Sequence, residues 1–267
     1  MKKFLTVILI LMTIPLAGIA MPTDTLRIAH VCDPQLGFYG PEKFEYDLDA
    51  FRREIAIINK MRPDIVLIAG DMVNKMDSAD IVAFKEAAKA FEVPFVYTPG
   101  NHDLPEPVSA KNLKRYRDAF GTDFSVTDCK GRSIISINSM LLRGGPADEV
   151  AAHNAKFDKA LQEALEAGKP VIVLSHVPPF KTDIDEEDEY FNLHKDSRRG
   201  LLEKVANAGC SIWLAGHTHM TAHNEYGGVH ILNAENTSAN FDYRPRGFRL
   251  LTVAPDGQFT WDFVGID

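Results

Sequence analysis

The chain has 267 residues, of which 45% are hydrophobic and 25% charged, and a formal net charge of −8. This length can bury one large α/β core, and the composition is globular rather than disordered or collagenous. An acidic chain gains nothing from long-range attraction to extended polyanions, which counts against a nucleic-acid-binding module. Phosphate esters stay open as ligands, because bound cations reverse the local field.

The N-terminus opens with Lys2 and Lys3, an apolar run over 4–16, and small residues Gly18 and Ala20. This pattern predicts a bacterial signal peptide over 1–20, cleaved after about Ala20, and an exported protein, periplasmic or secreted. The alternative is an uncleaved anchor, although the run is shorter than the roughly 20 residues that span a bilayer. After cleavage, residues 21–267 are expected to form a single domain without a membrane anchor.

A first strand over 27–32 runs into Asp33-Pro34-Gln35. A loop with Gly37, Gly40 and Pro41 leads to a helix over 47–61, where Leu48, Phe51, Ile55 and Ile58 recur at helical spacing. Pro63 ends it, and a strand over 65–69 runs into Gly70-Asp71, a βαβ unit with a right-handed crossover. A helix over 78–91 buries Phe84, Ala87, Ala88 and Phe91, and a strand over 95–98 runs into Gly100-Asn101-His102-Asp103. A helix over 109–120 precedes β-rich segments at 124–128 and 133–138, joined as a hairpin. A helix over 150–167 stops at Gly168, and the strand over 171–174 runs into Ser175-His176.

Residues 178–196 are irregular and hold an acidic run over 183–189. They read as a solvated loop or, given their place directly after His176, as a lid or substrate-selecting loop. A helix over 198–208 feeds the strand over 212–215, which ends in Gly216-His217-Thr218-His219. Residues i and i+2 of a strand share a face, so the two imidazoles can lie side by side. Strands over 229–232, 248–253 and 259–263 complete the chain. Cys32, Cys129 and Cys210 form no C-x-x-C pair and read as small, mostly buried hydrophobes.

Five apolar strands thus end in metal-ligand residue types, where parallel α/β sheets place their ligands. The ordered set Asp33-x-Gln35, Gly70-Asp71, Gly100-Asn101-His102-Asp103, His176 and Gly216-His217-x-His219 resembles the calcineurin-like metallophosphoesterases. Their pattern is D-x-H, G-D, G-N-H-D/E, a lone H and G-H-x-H. The resemblance runs from about Leu26 to the C-terminus and departs at Gln35, where most members have His. The Asp-Pro-Gln form is similar to a protein serine/threonine phosphatase-like subgroup.

The resemblance implies a four-layer α-β-β-α sandwich of two mixed sheets and a centre of two divalent metal ions. Asp71 would bridge them. Asp33, Gln35 and His219 would complete one site, and Asn101, His176 and His217 the other. Oxygen and nitrogen ligands without thiolate suit Mn, Fe or Zn, with Mg as an alternative. Gln35 either ligates through its amide oxygen, favouring harder ions, or leaves that position to a water. His102 is implied as the catalytic histidine, contacting the phosphoryl group or protonating the leaving oxygen, with Asp103 holding its other ring nitrogen. The implied reaction is hydrolysis of a phosphate ester by a metal-bound hydroxide, with a phosphomonoester favoured. The alternatives are a phosphodiesterase or nucleotidase, or a non-enzymatic metal-binding or interaction protein with a weakened first site.

His30, His153, His194, His223 and His230 match no ligand position, although His223 and Asn74 lie close enough in sequence to line a pocket. Phe38, Tyr39 and Phe180 form either an apolar wall or core packing.

Overall fold

Alternation along single strands sets the layers of the computed structural model, which describes residues 22–267. The leader predicted over 1–20 lies outside them. The chain runs β1 (Leu26–Val31), α1 (Phe44–Met61), β2 (Ile65–Ile68), α2 (Ser78–Ala88), β3 (Phe95–Tyr97) and α3 (Ala110–Phe120). Next come β4 (Ser125–Cys129), β5 (Arg132–Ser136), α4 (Ser139–Arg143), α5 (Ala147–Glu166), β6 (Val171–Leu174) and α6 (Lys195–Asn207). The chain ends with β7 (Cys210–Ala215), β8 (Ala222–Tyr226), β9 (Val229–Asn233), β10 (Gly247–Val253) and β11 (Phe259–Gly265). Among the described residues no helix is long and apolar enough to cross a membrane.

One sheet has the order β11-β10-β1-β2-β3, the other β4-β5-β6-β7-β9-β8, and both mix parallel with antiparallel pairs. In β1, Leu26 and Ile28 join Ile172, Leu174, Ile212 and Leu214 of the second sheet in a shared apolar layer. Their neighbours Ala29 and Val31 face the other way, against Phe51, Ile55 and Ile58 of α1. Trp213 and Val173 of the second sheet likewise pack on Phe157 and Leu161 of α5 and Leu202 of α6. The result is the four-layer α-β-β-α sandwich.

Two elements are additional to those read from sequence. β8 is a polar edge strand, Ala-His-Asn-Glu-Tyr, held by pairing with β9 rather than by an apolar run of its own. α4 has one turn, set by Asn138, whose side chain accepts from the amides of Met140 (3.1 Å) and Leu141 (3.3 Å).

Parallel register aligns the strand ends. Val31 pairs with Ile68 in one sheet and Leu174 with Leu214 in the other, so the following loops open side by side. At the opposite end, Arg132 of β5 ties the sheets by donating to the carbonyls of Asp24 (3.0 Å) and Ala254 (2.7 Å).

Glu54 of α1 is fully buried and accepts from Thr237 Oγ1 at 2.6 Å. Burial pushes its carboxyl up from 4.5 to about 8. Between these values the folded chain keeps a proton that the unfolded chain releases, so its contribution to stability is full below 4.5 and is lost as pH rises toward 8. Glu54→Gln should remove this slope, gaining on the order of 3 kcal/mol on the wild type between pH 5 and 8. Urea unfolding of both proteins at the two pH values checks it; parallel profiles would reject it.

Candidate metal centre

The ends of β1, β2, β3, β6 and β7 deliver Asp33 and Gln35, Asp71, Asn101 and His102, His176, and His217 and His219, respectively. The backbone turns sharply at these points. Asp33 (φ 46°), Gln35 (41°), Asp71 (48°), His217 (69°) and His219 (51°) all lie in the left-handed region. Such conformations cost of order 1–3 kcal/mol each and persist where surrounding structure enforces them. The preceding glycines are needed for close approach. A Cβ on Gly70 would lie 2.6 Å from His176 Nδ1, one on Gly216 2.6 Å from Asp33 Oδ2, and one on Gly100 would overlap the Asp71 carboxylate.

Each ligand-type imidazole is held by a backbone carbonyl. His176 Nδ1 donates to Ala69 O (2.7 Å), His217 Nε2 to Tyr190 O (2.8 Å) and His219 Nδ1 to Ala239 O (2.7 Å). A carbonyl only accepts, so these nitrogens carry the proton and the other ring nitrogen is left bare. Burial pushes His176 and His217 down to about 3 and lowers His219, keeping all three neutral.

The bare nitrogens of His176 and His219 face other acceptors. His176 Nε2 lies 2.9 Å from Asn101 Oδ1 and 3.4 Å from Asp71 Oδ2. Asn101 Nδ2 donates to Tyr190 Oη at 2.8 Å, which turns its oxygen toward His176. His219 Nε2 lies 3.7 Å from Asp33 Oδ1. Ligand atoms of Asp71, His176 and His217 all fall within 4.8 Å of one another. Burial raises the carboxyls of Asp33 and Asp71, and Asp71's charge raises Asp33 further. Gln35 Nε2 donates to Asn74 Oδ1 at 3.2 Å, while its Oε1 is buried without a partner. Lone pairs and carboxylates packed face to face, with an orphaned amide oxygen beside them, fit divalent cations bound by nitrogen and oxygen.

The structure corrects the expected role of Asp103. Its carboxylate accepts from the amides of Gly100 (3.0 Å), Met72 (3.2 Å) and Val73 (3.2 Å), stapling the loops after β2 and β3 together. Those buried amides draw it away from His102, whose Nδ1 donates instead to Asn74 O at 3.0 Å. His102 and Asn74 line a cleft of about 680 Å³ with Asn101, Arg115 and Tyr190.

Of the aromatics left between apolar wall and core packing, Phe38 lies on His219 with ring centroids 5.7 Å apart, whereas Phe180 is buried in the core with residues of α5 and α6. Phe241 also stacks on His219, with ring centroids 4.4 Å apart. His223 pairs with His230 on β8 and β9 and is not part of the cleft wall.

The acidic loop contributes what sequence reasoning missed. Tyr190 and Phe191 lie against His217, with centroids 4.8 and 5.5 Å away. Arg143, at the end of α4, donates to the carbonyls of Tyr190 and Asn192, both at 2.7 Å, and pairs with Glu106 at 2.6 Å. The loop is therefore fastened over the centre. Its only sequence signal was its position after His176.

A sequence model described as calcineurin-like phosphoesterase matches residues 26–221, which contain all of these ligand-type groups. The chain belongs to the calcineurin-like phosphoesterase family. As a calcineurin-like phosphoesterase it is a metal-dependent phosphoric ester hydrolase. It is 25% identical to the serine/threonine-protein phosphatase CPPED1 of Danio rerio, over 83% of this chain and 79% of that one. It is also 25% identical to the 3',5'-cyclic adenosine monophosphate phosphodiesterase CpdA of Escherichia coli K12, over 92% and 86%. A dimetal phosphatase from Danio rerio shares the fold, with a TM-score of 0.67 at 12% identity over 91% of this chain and 96% of that one.

In this calcineurin-like phosphoesterase, Arg143→Ala frees the Tyr190 carbonyl that holds His217. Outer partners of metal ligands are worth about 10–100-fold in affinity. The variant should weaken Mn²⁺ binding by that order in a calorimetric titration, and unchanged affinity would show that the loop does not support the centre.

Proposed function

We propose that the chain is an exported phosphomonoesterase with a dinuclear metal centre. The observation that carries this reading is the set of three neutral imidazoles, each fixed by a carbonyl, with the bare nitrogens of His176 and His219 facing Asp71 and Asp33, next to His102 on an open cleft. Asp71 would be shared between two ions. Asp33, Gln35 and His219 would hold one, and Asn101, His176 and His217 the other. Bound there, the ions would acidify a water and neutralise charge on the phosphoryl oxygens.

His102 presents its Nε2 side to the cleft, because Asn74 O holds Nδ1. In its protonated form it can hand a proton to the leaving oxygen as the ester bond breaks. Tyr190 accepts from Asn101, which keeps the amide oxygen of Asn101 in the centre. The orphaned oxygen of Gln35 supports direct ligation and, as a harder donor than imidazole, Mn²⁺ or Fe²⁺ ahead of Zn²⁺. The Asp-Pro-Gln form and the likeness to a serine/threonine phosphatase support a monoester. The likeness to a cyclic-nucleotide phosphodiesterase favours the second reading, a diester. The leader pattern over 1–20 supports export.

The test is hydrolysis of an aryl phosphomonoester and the matching diester by protein lacking residues 1–20, metal-free and with Mn²⁺, Fe²⁺, Zn²⁺ or Mg²⁺ restored. Metal-restored turnover of the monoester ahead of the diester is expected. Preference for the diester would move the reading to a phosphodiesterase, and stoichiometric metal binding without turnover would move it to a non-enzymatic metal protein.

A further inference from the structure

We propose that the cleft beside His102 is a subsite for an anionic leaving group, so that the preferred substrates are phosphate monoesters whose alcohol carries a second negative charge. The inference rests on the phosphomonoesterase reading and concerns which ester that centre takes.

The surroundings of the centre direct the leaving group. Phe38 and Phe241 cover His219, and Tyr190 and Phe191 cover His217. The large opening that includes Asn101 and His102 is the cleft, whose volume of about 680 Å³ far exceeds that of a phosphoryl group. Because His102 is the group placed to protonate the leaving oxygen, the alcohol portion extends along this cleft.

The charge on the cleft wall selects the alcohol. Arg115 of α3 is held by a hydrogen bond to the Met76 carbonyl, and Lys75 follows Asn74. Among the described residues neither forms a salt bridge with a carboxylate. Three carboxylates share the wall. Asp103 is buried and turned onto backbone amides, and Glu106 is taken by Arg143 at 2.6 Å. Asp77 alone stays uncommitted at the start of α2. On the wall two cations face one such acid, and with Asp80 beside Lys75 just beyond it, Arg115 is the unopposed charge that makes the cleft suit an anion on the alcohol side in a chain of net charge −8.

The experiment compares kcat/KM for peptides with one phosphoserine flanked by glutamate, glycine or lysine, with Mn²⁺ restored. The ester bond is the same throughout. A second arm compares hexanediol bisphosphate with hexyl phosphate, separating a compact anion from a peptide. The wild type should prefer the anionic member of at least one arm, by about two- to fivefold for each exposed cation engaged, less at high salt. Arg115→Gln with Lys75→Gln should bring that ratio toward one, and Arg115→Lys, which keeps the charge, should restore most of it. A wild-type ratio near one in both arms, or a preference that survives the double substitution, overturns the inference while leaving the phosphomonoesterase reading intact. No turnover of any peptide or of either hexyl ester refutes that reading itself, and the inference with it.

Discussion

Asp71→Asn is expected to lower metal-restored hydrolysis by at least about a thousandfold. Asp71 sits where the two halves of the centre meet. Its Oδ1 accepts from the His102 amide at 2.9 Å, its Oδ2 lies 3.4 Å from His176 Nε2, and its backbone carbonyl accepts from Gln35 N at 2.7 Å. Asparagine has the same shape and can keep the bond from His102, so the fold should survive. What it would lose is the negative charge that the proposed centre shares between two cations, and its amide nitrogen can face the bare nitrogen of His176 as a donor. Metal content by mass spectrometry should fall below two ions per chain. Full metal content with normal turnover would remove Asp71 from the bridging position.

The second large effect is expected at a residue with no chemistry. Gly100→Ala should weaken metal binding by at least about tenfold, because its Cβ would overlap the Asp71 carboxylate and its backbone nitrogen. Gly100 has no positive φ, so the penalty comes from contact, not conformation. Gly121 provides the opposite case. Its φ is +90°, yet nothing lies within 4 Å of an added Cβ. Gly121→Ala should therefore cost about 1 kcal/mol of stability through backbone strain and leave metal titration unchanged. If both variants bind metal equally well, close packing around Asp71 is not what requires Gly100.

The contrast between these residues and Tyr190 shows which parts of the centre the sequence exposed. Asp33, Asp71, His176 and His217 follow apolar runs long enough to be recognised as strands, so their common address at the strand ends could be inferred before any coordinates. Tyr190 holds the ring nitrogen of His217 through its main-chain carbonyl, which every residue possesses, and its ring and hydroxyl reach the centre from an irregular loop, so no pattern marked it. Arg143 is hidden for the same reason, since its loop partners are carbonyls. Asp103 misled because the family resemblance implied a partner for His102, whereas the turn points its carboxylate at three amides. In the fold, the buried strands were legible from their apolar runs. β8 was not, because an edge strand with one solvated face offers too few apolar positions to form a pattern.

The two ends of the sandwich are fastened by different means. At one end the tie is a set of hydrogen bonds, the Arg132 guanidinium reaching across to main-chain oxygens. At the other, Asp33, Asp71 and Asn101 hang from the first sheet and His176, His217 and His219 from the second. A cation shared among them would be a clasp between layers, in effect a reversible cross-link in a molecule whose three cysteines are all free thiols. Ion binding then adds to folding stability by mass action. Chelation would unlatch only one edge, leaving buried carboxylates to repel each other there, while the Arg132 end stays shut. The protein would lose rigidity as a hinged pair of plates, with amide exchange quickening first at the ends of β2, β6 and β7.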